Sequence, residues 1–435
     1  MSKPLVAIIG KPNVGKSTFF NRVIGKRLAI VENIPGVTRD RIYADAEWCG
    51  REFTLIDTGG LELKSADSMW TEIKLQAEAA ISAADVIVYF LDIKSGITAN
   101  DLEIADKLRK SRKKIIVAVN KMDVYSPEKL ADFYSLGLSE PLGISSEHGN
   151  GVADLLDEIV KNFDKTETEA ESGRLKIAIV GKPNAGKSSL LNKLLGYKRT
   201  IVADVPGTTR DAIDTDFDFK DKKYTLIDTA GIRKKSSVST DLEYYSVLRA
   251  LNAVRRADVC LIVIDSGESI TEQDVKICGY AHEQGKPSVI VMNKWDLIEK
   301  DSFTVNKFNQ KLSAELAFMN YFKPIYISAL TGLRVEKVLA AAEEVYENNS
   351  RRVTTSRLND VIIDCVNSTE PPTVNGKRLK ILYSSQPQAN PPVFLIFVND
   401  SSLVHFSYKR YIENSLRKAF NFEGTPIKVV FRNEE

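Results

Sequence analysis

The chain has 435 residues, is 43% hydrophobic and 27% charged, and carries a formal net charge of +2. Such a length predicts about two to four domains, each able to bury its own core, and the composition is that of an ordinary soluble globular protein, which excludes collagen-like and extensively disordered classes. Four cysteines, Cys49, Cys260, Cys278 and Cys365, lie far apart with no CxxC pair, so neither a zinc site nor a disulfide framework is expected and a reducing compartment suits them.

The run Met1, Ser2, Lys3, Pro4 leads straight into the first apolar segment, leaving no room for a signal peptide. No apolar run approaches the ~18 residues of a membrane span, and a cytoplasmic location is expected. Leu5 to Ile9 reads as a buried strand. It is followed by Gly10, Lys11, Pro12, Asn13, Val14, Gly15, Lys16 and Ser17, with Thr18 next. A GxxxxGK[ST] stretch between a strand and a helix, here residues 16–25, is a phosphate loop. Its glycines leave backbone N–H groups bare for a multiply charged triphosphate, and the positive end of the helix points at the same place. Lys16 then supplies a point charge for the β- and γ-phosphates, and Ser17 a hydroxyl ligand for Mg²⁺. Thr38, in the polar loop 35–40, is suited to complete the Mg²⁺ shell when a γ-phosphate is present; such a loop orders with triphosphate and releases after hydrolysis.

Residues 41–48 and 52–56 read as a hairpin across Cys49, Gly50 and Arg51. Its second strand ends in Asp57, Thr58, Gly59 and Gly60, a DxxG turn followed by Leu61. Asp57 can hold a water on Mg²⁺, and the Gly60 N–H can meet the γ-phosphate. Segments 86–91 and 115–119 read as parallel strands, with helices near 69–83, 99–110 and 152–162. The motifs all fall at strand C-terminal ends, where open α/β sheets bind ligands. Asn120, Lys121, Met122 and Asp123 form NKxD. A fixed carboxylate there accepts hydrogen bonds from N1–H and N2–H₂ of guanine; adenine offers an acceptor at N1 and no amino group at C2, so the nucleotide reads as GTP. Ser145 and Ser146, followed by Glu147, are placed to back the guanine O6 through backbone N–H.

Every one of these stretches returns. Gly181, Lys182, Pro183, Asn184, Ala185, Gly186, Lys187, Ser188 and Ser189 repeat the phosphate loop after the strand 175–180. Thr209 repeats Thr38; Asp228, Thr229, Ala230, Gly231 and Ile232 repeat the DxxG turn; Asn293, Lys294, Trp295 and Asp296 repeat NKxD; Ser328 and Ala329 repeat the loop that follows. A period this long is a duplicated domain, not a solenoid. Lys187 and Ser188, Thr209 and Asp228 inherit the roles of their counterparts, as does the Gly231 N–H. The expected class is α/β: a domain over 1–163, an acidic linker over 164–173, a second domain over 174–350, and a small α+β unit over 351–435. In the last, 357–366 and 407–420 read as helices and 379–384, 393–398 and 427–431 as strands.

The order of loops, the tandem duplication and the short tail resemble the bacterial Der (EngA) family, and the likeness spans essentially the whole chain. That resemblance implies two P-loop GTPase domains, with mostly parallel six-stranded sheets, and a KH-like third domain packed between them. It also implies a GTPase that associates with the large ribosomal subunit and its rRNA and acts in its assembly. Two departures from Ras-like enzymes bear on turnover. Leu61 and Ile232 stand where a water-orienting Gln is usual, so intrinsic hydrolysis is expected to be slow. Asn13 and Asn184 occupy the position at which related potassium-activated GTPases ligate K⁺; the other reading is an Asn tolerating a left-handed loop conformation.

The repeats diverge in charge after DxxG. The second carries Arg233, Lys234, Lys235, Arg249, Arg255 and Arg256, whereas the first carries Glu62, Asp67, Glu72 and Glu78. Two readings stand, a solvated face or a surface for RNA phosphate or for a neighbouring acidic domain. The tail adds Arg351, Arg352, Arg357, Lys377, Arg378, Lys380, Lys409, Arg410, Arg417 and Lys418, with Tyr408 and Tyr411 among them. This suits RNA, but no GxxG loop is present, and an interface with the nucleotide domains is an equal reading. A monomer without DNA or membrane partners is expected. A nucleotide-gated scaffold with negligible turnover is the alternative function; a metabolic phosphotransferase is disfavoured because no second substrate lobe is apparent.

Overall fold

The computed structural model describes residues 3–25, 43–57, 78, 81, 84–111, 113–123, 126–163, 173–196, 214–229, 250–371, 373–374 and 377–433. The chain forms two compact units, one built mainly from the first repeat and one in which the second repeat and the tail pack together.

In the first unit the order is β1 (Leu5–Gly10), α1 (Lys16–Gly25), β2 (Tyr43–Trp48), β3 (Arg51–Asp57), β4 (Val86–Asp92), α2 (Ala99–Lys110), β5 (Lys114–Asn120), α3 (Pro127–Ala131), β6 (Pro141–Gly143) and α4 (Val152–Lys161). The strands form one six-stranded sheet in the order β2-β3-β1-β4-β5-β6. All pairs are parallel except β2 with β3, the expected hairpin. Every residue of β1 is buried, as a β-branched run flanked by parallel neighbours on both edges requires. Val6, Ile8, Phe53 and Val88 pack on one face of the sheet, and Ala7, Ile9, Ile87 and Tyr89 on the other. Because β1 sits between β3 and β4, the chain leaves it at the point where the strand order reverses, which opens a crevice at the strand ends.

The second unit repeats this plan: β7 (Leu175–Val180), α5 (Lys187–Gly196), β8 (Thr215–Phe219), β9 (Lys222–Ile227), β10 (Val259–Asp265), α6 (Glu272–Glu283), β11 (Ser288–Asn293), α7 (Thr304–Glu315), β12 (Ile325–Tyr326) and α8 (Glu336–Asn349). Its sheet order, β8-β9-β7-β10-β11-β12, is that of the first sheet. The tail adds α9 (Thr355–Ser368), a two-stranded ribbon of β13 (Thr373–Val374) and β14 (Lys377–Arg378), then β15 (Ile381–Ala389), β16 (Pro392–Val398), α10 (Phe406–Phe420) and β17 (Lys428–Asn433). These make a three-stranded sheet, β15 antiparallel and β17 parallel to β16, with both helices on one face over Phe394, Ile396 and Val398.

The tail docks closely on the second nucleotide domain. Gly424 accepts from the Ser288 N–H at 2.8 Å and donates to the Tyr321 carbonyl at 2.7 Å, extending the β11 edge by main-chain bonds. A side chain at Gly424, whose φ is +72°, would place Cβ 2.1 Å from Val345 Cγ1. The Arg417 guanidinium of α10 lies 4.4 Å from the Tyr321 ring centroid, and His282 Nδ1 is 2.8 Å from the Tyr321 hydroxyl.

The differences from expectation concern short or irregular strands. Strand β6 has three residues and β12 two, too few to show a period. β15 extends past the expected 384 because its ladder with β16 shifts between Ser385 and Gln388; the irregularity absorbs Pro387, which has no N–H for a ladder. The helix expected near 69–83 lies largely outside the described residues. Cys260, Cys278 and Cys365 are buried and Cys49 exposed, all four as free thiols.

Candidate nucleotide sites

Both phosphate loops leave the centre of a sheet by the same construction. Gly10 and Gly181 have φ of 151° and 147°, and a Cβ at either would come within 2.4 Å and 2.3 Å of the carbonyl oxygens of Phe90 and Val263 on the adjacent strand. Gly15 and Gly186 are required for a second reason: a Cβ there would meet the side-chain amide of Asn120 or Asn293 at 2.1 Å. Asn13 and Asn184 take the left-handed conformation, φ 63° and 62°, which Asn tolerates better than most residues. Lys16 Nζ donates to the carbonyls of Gly10 (2.7 Å) and Lys11 (2.6 Å). Lys187 does the same with Gly181 (2.7 Å) and Lys182 (2.6 Å). Each ammonium is thereby held across the concave side of its loop. Burial pushes the Lys187 pKa down to about 8, with the Asp274 charge opposing the shift.

Ser17, at the head of α1, and Asp57, at the end of β3, are brought together: Ser17 Oγ donates to Asp57 Oδ2 at 2.7 Å. A hydroxyl and a carboxylate converging beside a phosphate loop are hard oxygen donors of the kind Mg²⁺ takes. In the second unit Asp228 is in the left-handed region, φ 54°, and its N–H donates to Asp214 Oδ1 at 3.0 Å.

Asn120 and Asn293 tie the crevice together. Asn120 Nδ2 donates to the Val14 carbonyl (2.7 Å) and its Oδ1 accepts from the Ser146 N–H (2.8 Å). Asn293 bridges the Ala185 carbonyl and the Ala329 N–H, both at 2.9 Å. Each amide is 2% exposed, so one side chain fixes the phosphate loop to the loop that Ser145 or Ser328 opens. Lys121 and Lys294 follow with φ of 65° and 60° and reach Asp92 (2.8 Å) and Asp265 (2.5 Å) at the ends of β4 and β10. Asp296 Oδ1 is buried without a hydrogen-bond partner. An orphaned carboxylate oxygen in a crevice suits a ligand edge that presents two N–H donors. Its counterpart Asp123 is more open and accepts from Ser145 Oγ at 3.0 Å.

The carboxylates that hold the two loop lysines, and the arginine behind Ser146, escaped the sequence reading. Lys11 Nζ reaches Asp101 Oδ2 at 2.5 Å, a carboxylate that also caps α2 through Thr98. Lys182 contacts Glu268 at 2.6 Å, and Arg22 holds the Ser146 carbonyl at 2.6 Å. The signal for some of them was available, since Thr98-x-x-Asp101 and Thr271-x-x-Asp274 are capping boxes repeated in both halves, and Asp92 and Asp265 both close an apolar run. Thr38, Thr58, Gly59, Gly60, Leu61, Thr209, Ala230, Gly231 and Ile232 lie outside the described residues.

Comparison with known proteins agrees with this geometry. The family described as "50S ribosome-binding GTPase" matches residues 5–121 and again 176–294, and "KH-domain-like of EngA bacterial GTPase enzymes, C-terminal" matches 352–432. A protein of Acetivibrio thermocellus called GTPase Der is 52% identical over 438 residues, covering 100% of both chains. The GTPase Der of Clostridium perfringens strain 13 is 52% identical over 434 residues and 99% of each chain, and that of Alkaliphilus oremlandii 49% over 436, covering 100% of this chain and 99% of its own. The chain belongs to the Der family of GTPases.

As a Der GTPase it has two guanine-nucleotide domains and a KH-like tail. Within that frame the charged segments divide. Arg255 is 9% exposed and Arg256 pairs with Asp214 at 2.5 Å, so neither offers an open basic surface; Arg233, Lys234, Lys235 and Arg249 lie outside the described residues. In the tail, Arg351 donates to the Phe420 carbonyl at 2.8 Å, Arg352 to that of Gln386 at 3.0 Å and Arg417 to that of Thr425 at 2.6 Å. These three are joints of the tail and its docking. Tyr408 is buried and its hydroxyl donates to the Thr369 carbonyl at 3.2 Å, while Tyr411 donates to that of Cys365 at 3.1 Å. They brace α10 against α9 and do not serve as base-stacking platforms.

Proposed function

We propose that this Der GTPase is a guanine-nucleotide switch that associates with the large ribosomal subunit and acts in its assembly, two nucleotide domains (1–163 and 174–350, joined by the linker 164–173) setting the position of the KH-like domain (351–435). The observation that carries the ribosomal part is the twofold match to the family described as 50S ribosome-binding GTPase, on relatives called Der over their full length. Sucrose-gradient co-sedimentation with ribosomal subunits under GDP, GTP and a non-hydrolysable analogue tests it. Association that depends on nucleotide is expected, and failure to associate in every state would overturn the ribosomal reading while leaving the nucleotide chemistry intact.

In this reading the loops Gly10 to Thr18 and Gly181 to Ser189 hold the phosphates, with Lys16 and Lys187 as point charges. Asp123 and Asp296 read guanine, and Ser146 and Ala329 back its O6 by main-chain N–H. Mg²⁺ would be held by Ser17, Thr38 and Asp57 in one site and by Ser188, Thr209 and Asp228 in the other, and would supply charge neutralisation for the β- and γ-phosphates. The N–H groups of Gly60 and Gly231 would meet the γ-phosphate. Leu61 and Ile232 cannot orient water by hydrogen bonding, so turnover is slow. Asn13 and Asn184, exposed on their loops, would supply amide oxygens to a K⁺ ion, whose charge would take the place of an arginine finger. Turnover should therefore be faster in KCl than in NaCl at equal ionic strength; equal rates would reject potassium and leave the left-handed backbone as the reason for Asn. The protein acts as a cytoplasmic monomer. A second reading, a nucleotide-gated scaffold with negligible turnover, is favoured by Leu61 and Ile232, and multiple-turnover phosphate release separates the two.

A further inference from the structure

The tail's three-stranded sheet has one face covered and one bare. Along β16 the side chains of Phe394, Ile396 and Val398 are buried under α9 and α10, and the intervening Val393, Leu395 and Phe397 on the opposite face are only half-buried. Register places Tyr383 of β15 beside Phe397, Val430 of β17 beside Leu395, and Arg432 and Lys428 beside Phe397 and Val393. Paired residues of neighbouring strands share a face, so this bare surface has an aromatic and aliphatic centre edged by two exposed cations. The rings of Tyr383 and Phe397 are stacked, 4.2 Å between centroids and 13° between planes. Tyr383 remains 45% exposed, so the stack ends open to solvent.

Charge decides what such a face accepts. The segments 381–389, 392–398 and 428–433 contain no Asp or Glu. The Lys380 N–H bonds Asn399 Oδ1 at 2.7 Å, which holds a further exposed cation at the end of the sheet where Tyr383 and Phe397 lie. Asp400, the carboxylate next in sequence, is engaged in capping the Ser402 N–H at 2.9 Å. A flat ring system that continues an aromatic stack, with anionic groups a few ångströms to the side, is what single-stranded nucleic acid presents. Two strand spacings, about 10 Å, separate Tyr383 from Arg432, a span suited to phosphates flanking a stacked base.

We infer that this open sheet face, centred on Tyr383 and Phe397 and edged by Lys428 and Arg432, binds single-stranded RNA by base stacking. The inference deepens the ribosomal reading above and rests on it for the choice of RNA. It also explains how the tail can meet RNA without a GxxG loop, since the contact lies on the sheet and not in a helix-lined groove.

The test is fluorescence anisotropy of a labelled single-stranded oligouridylate of about 12 nucleotides, within the range such surfaces cover, on the full-length protein in GDP at several KCl concentrations. Tyr383→Ala should weaken binding about tenfold, and Tyr383→Phe, which keeps the ring, should not. Lys428→Gln and Arg432→Gln should each lower the slope of log affinity against log salt by about 0.7, one phosphate contact apiece. GTP turnover equal to wild type in every variant certifies that the nucleotide domains are intact. Wild-type affinity and slope in Tyr383→Ala, or equal binding of a duplex of the same length, would overturn the inference, as would binding only to RNA-free ribosomal protein. Co-sedimentation is scored separately. Nucleotide-dependent subunit binding with no effect of Tyr383→Ala on the oligonucleotide sinks this inference alone; Tyr383-dependent oligonucleotide binding without subunit association sinks the ribosomal reading alone.

Discussion

Replacing Asn293 with alanine would show whether a single buried amide holds the second nucleotide site in shape. Its Nδ2 donates to the Ala185 carbonyl in the phosphate loop and its Oδ1 accepts from the Ala329 N–H, each at 2.9 Å, and the residue is 2% exposed. Alanine leaves two buried main-chain groups without partners, at about 1–3 kcal/mol each. Because the crevice can admit water to part of that space, about 3 kcal/mol in total is the reasonable figure. The two loops are then free to separate, and nucleotide binding must draw them back, so the loss falls mainly on affinity. Dissociation of fluorescent GDP should accelerate about 100-fold, measured by stopped flow in a Lys16→Ala background that silences the first site. Asn293→Asp, which keeps the acceptor toward Ala329 but sets a buried carboxylate oxygen against the Ala185 carbonyl, should release GDP at least as fast as the alanine variant. Unchanged dissociation in Asn293→Ala would refute the idea that this bridge shapes the site.

Three further outcomes follow from the geometry. Asp296→Asn replaces one acceptor oxygen by an N–H donor, so the second site should lose preference for guanosine diphosphate and gain it for xanthosine diphosphate, which carries a carbonyl at C2; competition titration in the same background measures this, and retained guanine preference would refute Asp296 as the base reader. Lys187, held at about pKa 8 by burial, must be protonated to meet phosphate, so affinity at the second site should be flat below that pH and fall toward tenfold per unit above it, and calorimetry giving a pH-independent constant would contradict this. His282 is pushed from 6.5 down to about 4, chiefly by burial and secondly by Arg417. A depressed folded-state pKa means stability is complete above about pH 6.5 and is lost as pH falls toward 4, by about 3 kcal/mol in all. Urea unfolding followed by Trp295 fluorescence should show this acid loss in wild type and less of it in His282→Phe; an identical acid slope in the variant would count against it.

Much of the nucleotide crevice was legible because the residues involved are constrained locally. Strand β1 announces itself as an unbroken apolar run, and the glycines at 10 and 15 are demanded by neighbours 2.4 Å and 2.1 Å from any added Cβ. The capping helix α2 matches its expected span, 99–110, since Thr98 and Asp101 mark its start within four residues. What was not legible depends on distant partners. Tyr408 and Tyr411 lie among basic residues in sequence, yet they face α9 because α10 must bury its apolar side. Arg351 and Arg417 look like surface charges and instead accept roles at the docking seam. The aromatic pair that is open, Tyr383 with Phe397, carries no signal until β15 and β16 are placed in register.

The amino-acid sequence by itself determined that there are two guanine-nucleotide sites, since the repeated GxxxxGKS, DxxG and NKxD stretches specify chemistry through residues adjacent in the chain. It likewise determined the long buried strands of the first domain, through apolar runs whose length is a local property, whereas the edge strands β6 and β12, of three and two residues, show no such pattern. Only the tertiary structure decided which cations are joints, which carboxylate oxygen is left waiting in the crevice, and which face of the tail is bare. Those are questions of burial and of long-range partners, and a side chain's charge or ring is available for binding only when no other part of the fold has already engaged it.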